Sequence, residues 1–321
     1  MKHVLLITCL FCMILRVSAQ SGQVLPVQFS QFYQNYSLVH PAATGMYKSY
    51  QIFIGHQSQT GAFQGVNTSY SGINFKLKGK DSLGLEGHGF GLNIVNNREG
   101  YYFNRERLAV SYAYHNQIFE NWVLSGGISV GAINYIYRAS DISAGGSAFK
   151  PSADVGLFLY KPEDINIGFT ISQVIPGNMS PLERQLKIKS YLNLSVDKVF
   201  RLSPYFSLRP AVMLRGPFEK GAINADFTML AIIQDLLSAG INYKANKGIA
   251  FVGGINDIKM GSAGFNLFIS YYNSFAAAKT IRPSVIELSC VFKRRRFMDE
   301  EEVSLLKNRR LLSQAIAAPA K

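Results

Sequence analysis

Phe265-Asn266-Leu267-Phe268-Ile269-Ser270-Tyr271-Tyr272, followed by Ile286-Glu287-Leu288-Ser289-Cys290-Val291-Phe292, decides the fold of this 321-residue chain. Phe265, Leu267, Ile269 and Tyr271 share one parity, and Asn266, Phe268, Ser270 and Tyr272 the other. Ile286, Leu288, Cys290 and Phe292 alternate with Glu287, Ser289 and Val291 in the same way. Successive side chains of a strand point to opposite faces, so each run has an aromatic-rich apolar face and a face of mostly small or polar residues. The pattern recurs along most of the chain and suits a wall between lipid and water.

Working outward, runs of strand-like residues bounded by Gly, Asn, Asp, Pro or Ser give about fourteen candidate strands. They lie near 47–56, 66–77, 85–96, 102–116, 121–137, 150–160, 164–174, 187–200, 205–214, 221–232, 236–245, 248–256, 263–273 and 283–293. Most reach the roughly 9 to 11 residues that a tilted strand needs to cross a bilayer. Parity is clearest where Leu108, Val110, Tyr112 and Tyr114 oppose Arg107, Ala109, Ser111 and His115. It is as clear where Leu124, Ile128 and Val130 oppose Ser125, Gly127, Ser129 and Gly131. Twelve and sixteen strands stay open, because residues 227–233 are almost continuously apolar and read as a bulged strand or a short buried helix. His88 shares the parity of Phe90, Leu92 and Ile94, which implies a rim position or a bulge.

Residues 1–19 read as a secretory signal, with Lys2 ahead of an apolar stretch over 4–15 and Val17-Ser18-Ala19 as the cleavage site. No later stretch offers the roughly 20 unbroken apolar residues of a spanning helix. A membrane crossing must therefore be made by a closed antiparallel barrel, in which all backbone groups pair between strands. A two-sided soluble sandwich would alternate similarly, but the strand count and the leader oppose it. The mean hydropathy of +0.07 conceals the class, since inward polar residues cancel outward apolar ones. The 17 Tyr and 22 Phe supply material for interfacial girdles.

Removing Lys2 and Arg16 with the leader takes the formal net charge from +13 to +11. Nucleic acid is an improbable partner for an exported chain that carries no recognition motif; outer-membrane lipid and acidic protein faces suit the excess better. Cys290 is the sole cysteine beyond the leader and reads as a small apolar residue on a lipid-facing strand. His40, His56, His88 and His115 show no metal-ligand spacing, and the Gly127-Ile128-Ser129-Val130-Gly131 run lies within an expected strand and not at the strand-to-helix turn of a nucleophile elbow. Gly87-His88-Gly89-Phe90-Gly91 lacks the Lys and Ser or Thr of a phosphate loop and reads as strand glycines beside a bulge. The expectation is therefore no enzyme, no cofactor and no metal. Inward charges such as Arg107, Asp154, Asp197 and Glu287 either tune a channel or satisfy one another across the lumen.

Two segments flank the barrel of residues 47–293. Residues 20–46, rich in Gln, Asn, Tyr and Phe and interrupted by Pro26 and Pro41, read as a periplasmic strap or a plug. Residues 294–321 place Arg294, Arg295 and Arg296 before Asp299-Glu300-Glu301-Glu302, then interleave Leu305, Leu306, Leu311 and Leu312 with Lys307, Arg309 and Arg310. Acids before bases suit a helix dipole, so the tail reads as a short amphipathic helix in the periplasm. It is either a solvated or membrane-surface end or a contact for a periplasmic partner through Arg294, Arg295, Arg296, Leu305, Leu306, Arg309 and Arg310.

Gln28-Phe29-Ser30-Gln31-Phe32-Tyr33, Asn35 and Pro41-Ala42-Ala43-Thr44-Gly45 resemble the opening motif of the PorP/SprF family of type IX secretion membrane proteins. His40 stands where that motif has Asn, which alters a local turn contact and keeps the spacing. Gly253-Gly254-Ile255-Asn256-Asp257 and Pro283-Ser284-Val285-Ile286-Glu287-Leu288 resemble the family's closing strands. The resemblance implies an outer-membrane barrel of a Gram-negative member of the Bacteroidota. It would dock or anchor secretion machinery, or sorting-domain cargo such as gliding adhesins, in the type IX system. Phe29, Ser30, Gln31, Asn35, Pro41, Ala42 and Gly45 become candidate docking residues on that basis. A passive porin or hydrophobic-solute channel is the alternative.

Overall fold

The computed structural model describes residues 29–46, 50–61, 65–78, 85–119, 121–140, 144–181, 186–218, 223–245, 248–260, 263–274 and 284–294. The expected leader, residues 20–28 and the tail beyond Arg294, with its expected helix, lie outside them, as does the side chain of Arg294.

Three 3-10 turns, Phe32–Gln34, Tyr36–Leu38 and Pro41–Ala43, precede the strands. The strands are β1 (Tyr50–Thr60), β2 (Val66–Lys78), β3 (Gly87–Glu99), β4 (Phe103–Phe119), β5 (Trp122–Tyr137), β6 (Gly146–Lys161), β7 (Ile165–Ser172), β8 (Gly177–Met179) and β9 (Leu186–Ile188). After them come β10 (Tyr191–Lys198), β11 (Phe200–Ser203), β12 (Phe206–Pro217), β13 (Asn224–Ile233), β14 (Leu237–Lys244), β15 (Gly248–Met260), β16 (Ala263–Ser274) and β17 (Ser284–Arg294). Sequential antiparallel pairing closes twice, β1 on β17 and β10 on β12, into a barrel of fourteen strands. β11 continues the line of β10 and pairs with β12, whereas β8 and β9 form a separate hairpin. Gln51 lies opposite Lys293, so the first strand starts and the last strand ends at one mouth, called here the near mouth.

The faces follow the alternation. Ile54, Val110, Val130, Phe251 and Ile269 point outward and are exposed, with Leu288 and the half-exposed Cys290 on the same surface. An apolar outer band is what a lipid-facing wall needs, because hydrocarbon solvates no polar side chain. Aromatic pairs border it at both mouths. Phe90 contacts Phe75 and Tyr112 with ring centroids 5.5 and 5.4 Å apart near the first, and Phe103 meets Tyr137 at 4.9 Å near the second.

Three readings of the sequence are refined. Residues 227–233 form plain strand in β13, with Met229 outward and Leu230 buried inward, and their pairings with β12 and β14 run without a register shift. β3 is likewise unbulged, and His88 takes a place at the near rim beside Tyr112. The expected strand over 187–200 is divided: β9 leaves the wall to pair with β8, β10 carries the wall, and β11 follows.

Candidate functional site inside the barrel

Residues 29–46 run through the interior and touch the wall all round. Phe32, Tyr33, Tyr36, Ala42 and Ala43 form one core with Val123, Phe158, Met213, Leu230, Val252 and Phe268, drawn from strands on different sides of the lumen. Phe29 joins a second core with Phe53, Tyr70 and Val291. Pro41 opens the last 3-10 turn at a position where its missing N–H costs nothing. The turns are too short to satisfy their own backbone, and inward strand side chains complete the hydrogen bonds.

Each partner comes from far along the sequence. The Ser30 N–H donates to Glu287 Oε2 at 2.8 Å, and the Gln31 amide donates to the Glu287 carbonyl at 3.3 Å while accepting from the Ser289 hydroxyl. Gln51 donates to the Asn35 side-chain oxygen at 3.2 Å, and Asn74 to the Ser37 hydroxyl at 2.7 Å. The Tyr36 hydroxyl donates to Asp197, whose other oxygen accepts from Arg209 Nε at 2.8 Å. The Arg209 guanidinium also lies 5.5 Å from the centre of the Tyr33 ring, a cation–π contact. Asp197 and Glu287 are thus inward charges that hold the segment, while Arg107 pairs with Asp154.

His40 bridges two strands: Nδ1 pairs with Thr170 Oγ1 at 2.8 Å on β7, and Nε2 with Ser195 Oγ at 2.8 Å on β10. A hydroxyl donates or accepts, so both contacts suit the neutral ring in either tautomer. Burial, aided by the Arg215 charge, pulls its pKa down to about 3 and keeps the ring neutral. The departure from the family's Asn is therefore accommodated by two hydroxyls on the facing wall.

Glycines make room for the backbone. A Cβ on Gly127 would stand 2.4 Å from Ala42 Cα, and one on Gly89 2.0 Å from the Thr44 carbonyl oxygen. Gly45 has a left-handed φ of +75°, and a Cβ there would meet Gly89 Cα at 2.7 Å. The glycines of 87–91 thus receive the Pro-Ala-Ala-Thr-Gly turn and accompany no bulge.

The seven motif residues, Phe29, Ser30, Gln31, Asn35, Pro41, Ala42 and Gly45, are all buried in this arrangement. Reading the sequence missed Tyr36, and it did not show that the wall glycines receive this segment. Glu287 and Asp197 carried a signal, as charges on otherwise small inward faces. Among the described residues no group of three or more His, Cys, Asp and Glu side chains is placed to hold a metal ion.

No curated protein is matched by the chain. Among solved structures, the CymD monoaromatic hydrocarbon channel is similar at a TM-score of 0.52 and 10% identity, over 85% of this chain and 95% of that one. A Pseudomonas aeruginosa FadL homologue gives 0.52 and 10%, over 85% and 99%. The Pseudomonas putida toluene transporter TodX gives 0.50 and 9%, over 85% and 98%. At such identities the likeness is one of fold, an outer-membrane β-barrel. The family described as "Type IX secretion system membrane protein PorP/SprF" matches residues 21–282, and with the barrel and its threaded opening motif this places the chain, an outer-membrane protein, in the PorP/SprF family of the type IX secretion system.

Proposed function

We propose that this barrel is a non-enzymatic platform of the type IX apparatus, which docks sorting-domain cargo, adhesins or machinery at the outer membrane and conducts no solute. The observation that carries this reading is the filled lumen: residues 29–46 reach strands on all sides and are fixed by Glu287, Asp197 and His40. A wall so occupied offers its loops and ends to partners. The motif residues Phe29, Ser30, Gln31, Asn35, Pro41, Ala42 and Gly45 serve docking by holding the platform in one shape. Deleting the gene should leave sorting-domain proteins trapped in the cell or shed to the medium; normal export and surface retention of all of them would overturn the proposal. The purified barrel should be silent in planar bilayers, and steady solute flux would favour the channel alternative.

The wall begins with β1 and finishes with β17 at the near mouth, as a barrel entered and left from the periplasm requires. Residues 294–321 then meet a periplasmic subunit through Arg294, Arg295, Arg296, Leu305, Leu306, Arg309 and Arg310. Truncation after Lys293 should abolish co-purification of that subunit while the barrel still assembles. Unchanged co-purification and secretion would make the tail a solvated end.

A further inference from the structure

Beyond the threaded segment, toward the mouth opposite the near mouth, the lumen holds a cavity of about 70 Å³. Phe29, Leu38 and Val39 floor it, and Arg105, Arg107 and Arg215 line its wall. Asp154 is the one acid in that lining, and it is already engaged by Arg107 and by the Gln173 N–H at 2.8 Å. Arg215 donates to Asn193 Oδ1 at 2.8 Å and to the Met213 sulfur at 3.1 Å, and the buried Asp226 is close enough to act on its charge. Arg105 reaches Glu99 at 3.4 Å, but that carboxylate is 43% exposed and faces solvent.

A fourth cation adjoins the cavity. Arg107, Ile133 and Lys150 stand side by side across β4, β5 and β6, with Ile133 in the cavity wall. Lys150 is 8% exposed, and its Nζ has no hydrogen-bond partner among the described residues. The β8–β9 hairpin partly roofs the space, as Met179 and Ile188 pack on Ile133 and Tyr135. Gathering guanidinium and ammonium groups under a roof raises their mutual repulsion and removes the water that would screen it. Such an arrangement is stabilised by an anion with several acceptor oxygens, which planar guanidinium forks bind in pairs.

We infer that this chamber binds an oxoanion, a carboxylate or phosphate group, with Arg105, Arg107 and Arg215 as its ligands and Lys150 as a supporting charge. The cavity admits one such group, borne by a free small anion or by a larger molecule reaching in from that mouth. The inference stands apart from the secretion role, since it concerns a binding equilibrium of the isolated barrel.

Calorimetric titration of the purified full-length protein with inorganic phosphate and with acetate, against chloride at matched ionic strength, tests it. Saturable binding of either oxoanion is expected, and the ratio of the two affinities identifies the preferred group. Arg215→Gln should weaken it at least tenfold and Lys150→Met several-fold, with Arg201→Gln, an exposed near-mouth control, unchanged. The Lys150→Met variant keeps the test decisive should Arg215→Gln misfold. Absence of saturable binding by both anions, or equal affinity in the Arg215→Gln and Lys150→Met variants, would overturn the inference.

Discussion

The two halves of the lumen solve the problem of inward polar groups in opposite ways. Around the threaded segment, wall side chains find peptide groups of residues 29–46 and the Tyr36 hydroxyl, and glycines let that backbone approach the strands, though the Tyr33 and Thr44 hydroxyls have no hydrogen-bond partner among the described residues. In the remote half, cations outnumber acids around a cavity, and Lys150 Nζ and Ser152 Oγ have no hydrogen-bond partner among the described residues. The contrast teaches that complementarity here is local to the threaded segment. Substitutions of the same size should therefore cost much more in the near half.

The largest effect is expected from Gly127→Val, which puts side-chain atoms where Ala42 now lies. Overpacking of this kind costs about 1–3 kcal/mol and at times more. Because backbone must move here, we expect the upper end, with loss of protease protection of residues 29–46 as the readout. Glu287→Gln keeps the shape of the group that holds Ser30 but removes its charge, and a hydrogen bond to a charged partner is worth about 1.5–3 kcal/mol. Its measure is the denaturant midpoint of the folded barrel.

His40→Ala should cost about 1–3 kcal/mol by stranding the Thr170 and Ser195 hydroxyls, and His40→Asn, the family's residue, should cost less. The same site gives the near half a pH dependence. The unfolded chain protonates His40 near pH 6.5, whereas the folded one resists until about pH 3. Its contribution to stability is thus complete above pH 6.5 and drains away as the pH falls toward 3. Hydrogen exchange over residues 29–46 should accelerate across that window in the native protein and less so in His40→Asn. The smallest effect belongs to the remote half: Ser152→Ala deletes a hydroxyl with no partner and should shift stability by no more than about 0.5 kcal/mol. A cost near 2 kcal/mol would erase the contrast between the halves.

The wall was legible because its information is local. A period of two survives in every strand, so each of the fourteen wall strands lies close to its expected place, and the outward parity of Leu108, Leu124 and Ile269 is as read. Where the reading wavered, a tertiary contact decides: Leu230 breaks alternation in β13 because it faces the core around Phe32 rather than polar lumen. The β8–β9 hairpin escaped notice because three-residue strands leave no periodicity to count. In the candidate site, the motif showed that residues 29–45 matter, but nothing local says what they touch. Gly89 and Gly127 look like any strand glycine until Thr44 and Ala42 are placed against them.

The bond from Ser30 to Glu287 spans 257 positions, and its neighbour from Ser289 to Gln31 spans 258. The same last strand is also the one that β1 must find to close the wall. A polypeptide released before β17 therefore lacks its seam and leaves its opening motif without an anchor in one stroke. Such separations slow folding, and this anchor can form only once β17 has been made. The segment of residues 29–46 thus acts as a proofreader of the wall: only a chain that carries β17 can anchor Ser30 and Gln31, and one that stops before it leaves Phe29 without Val291.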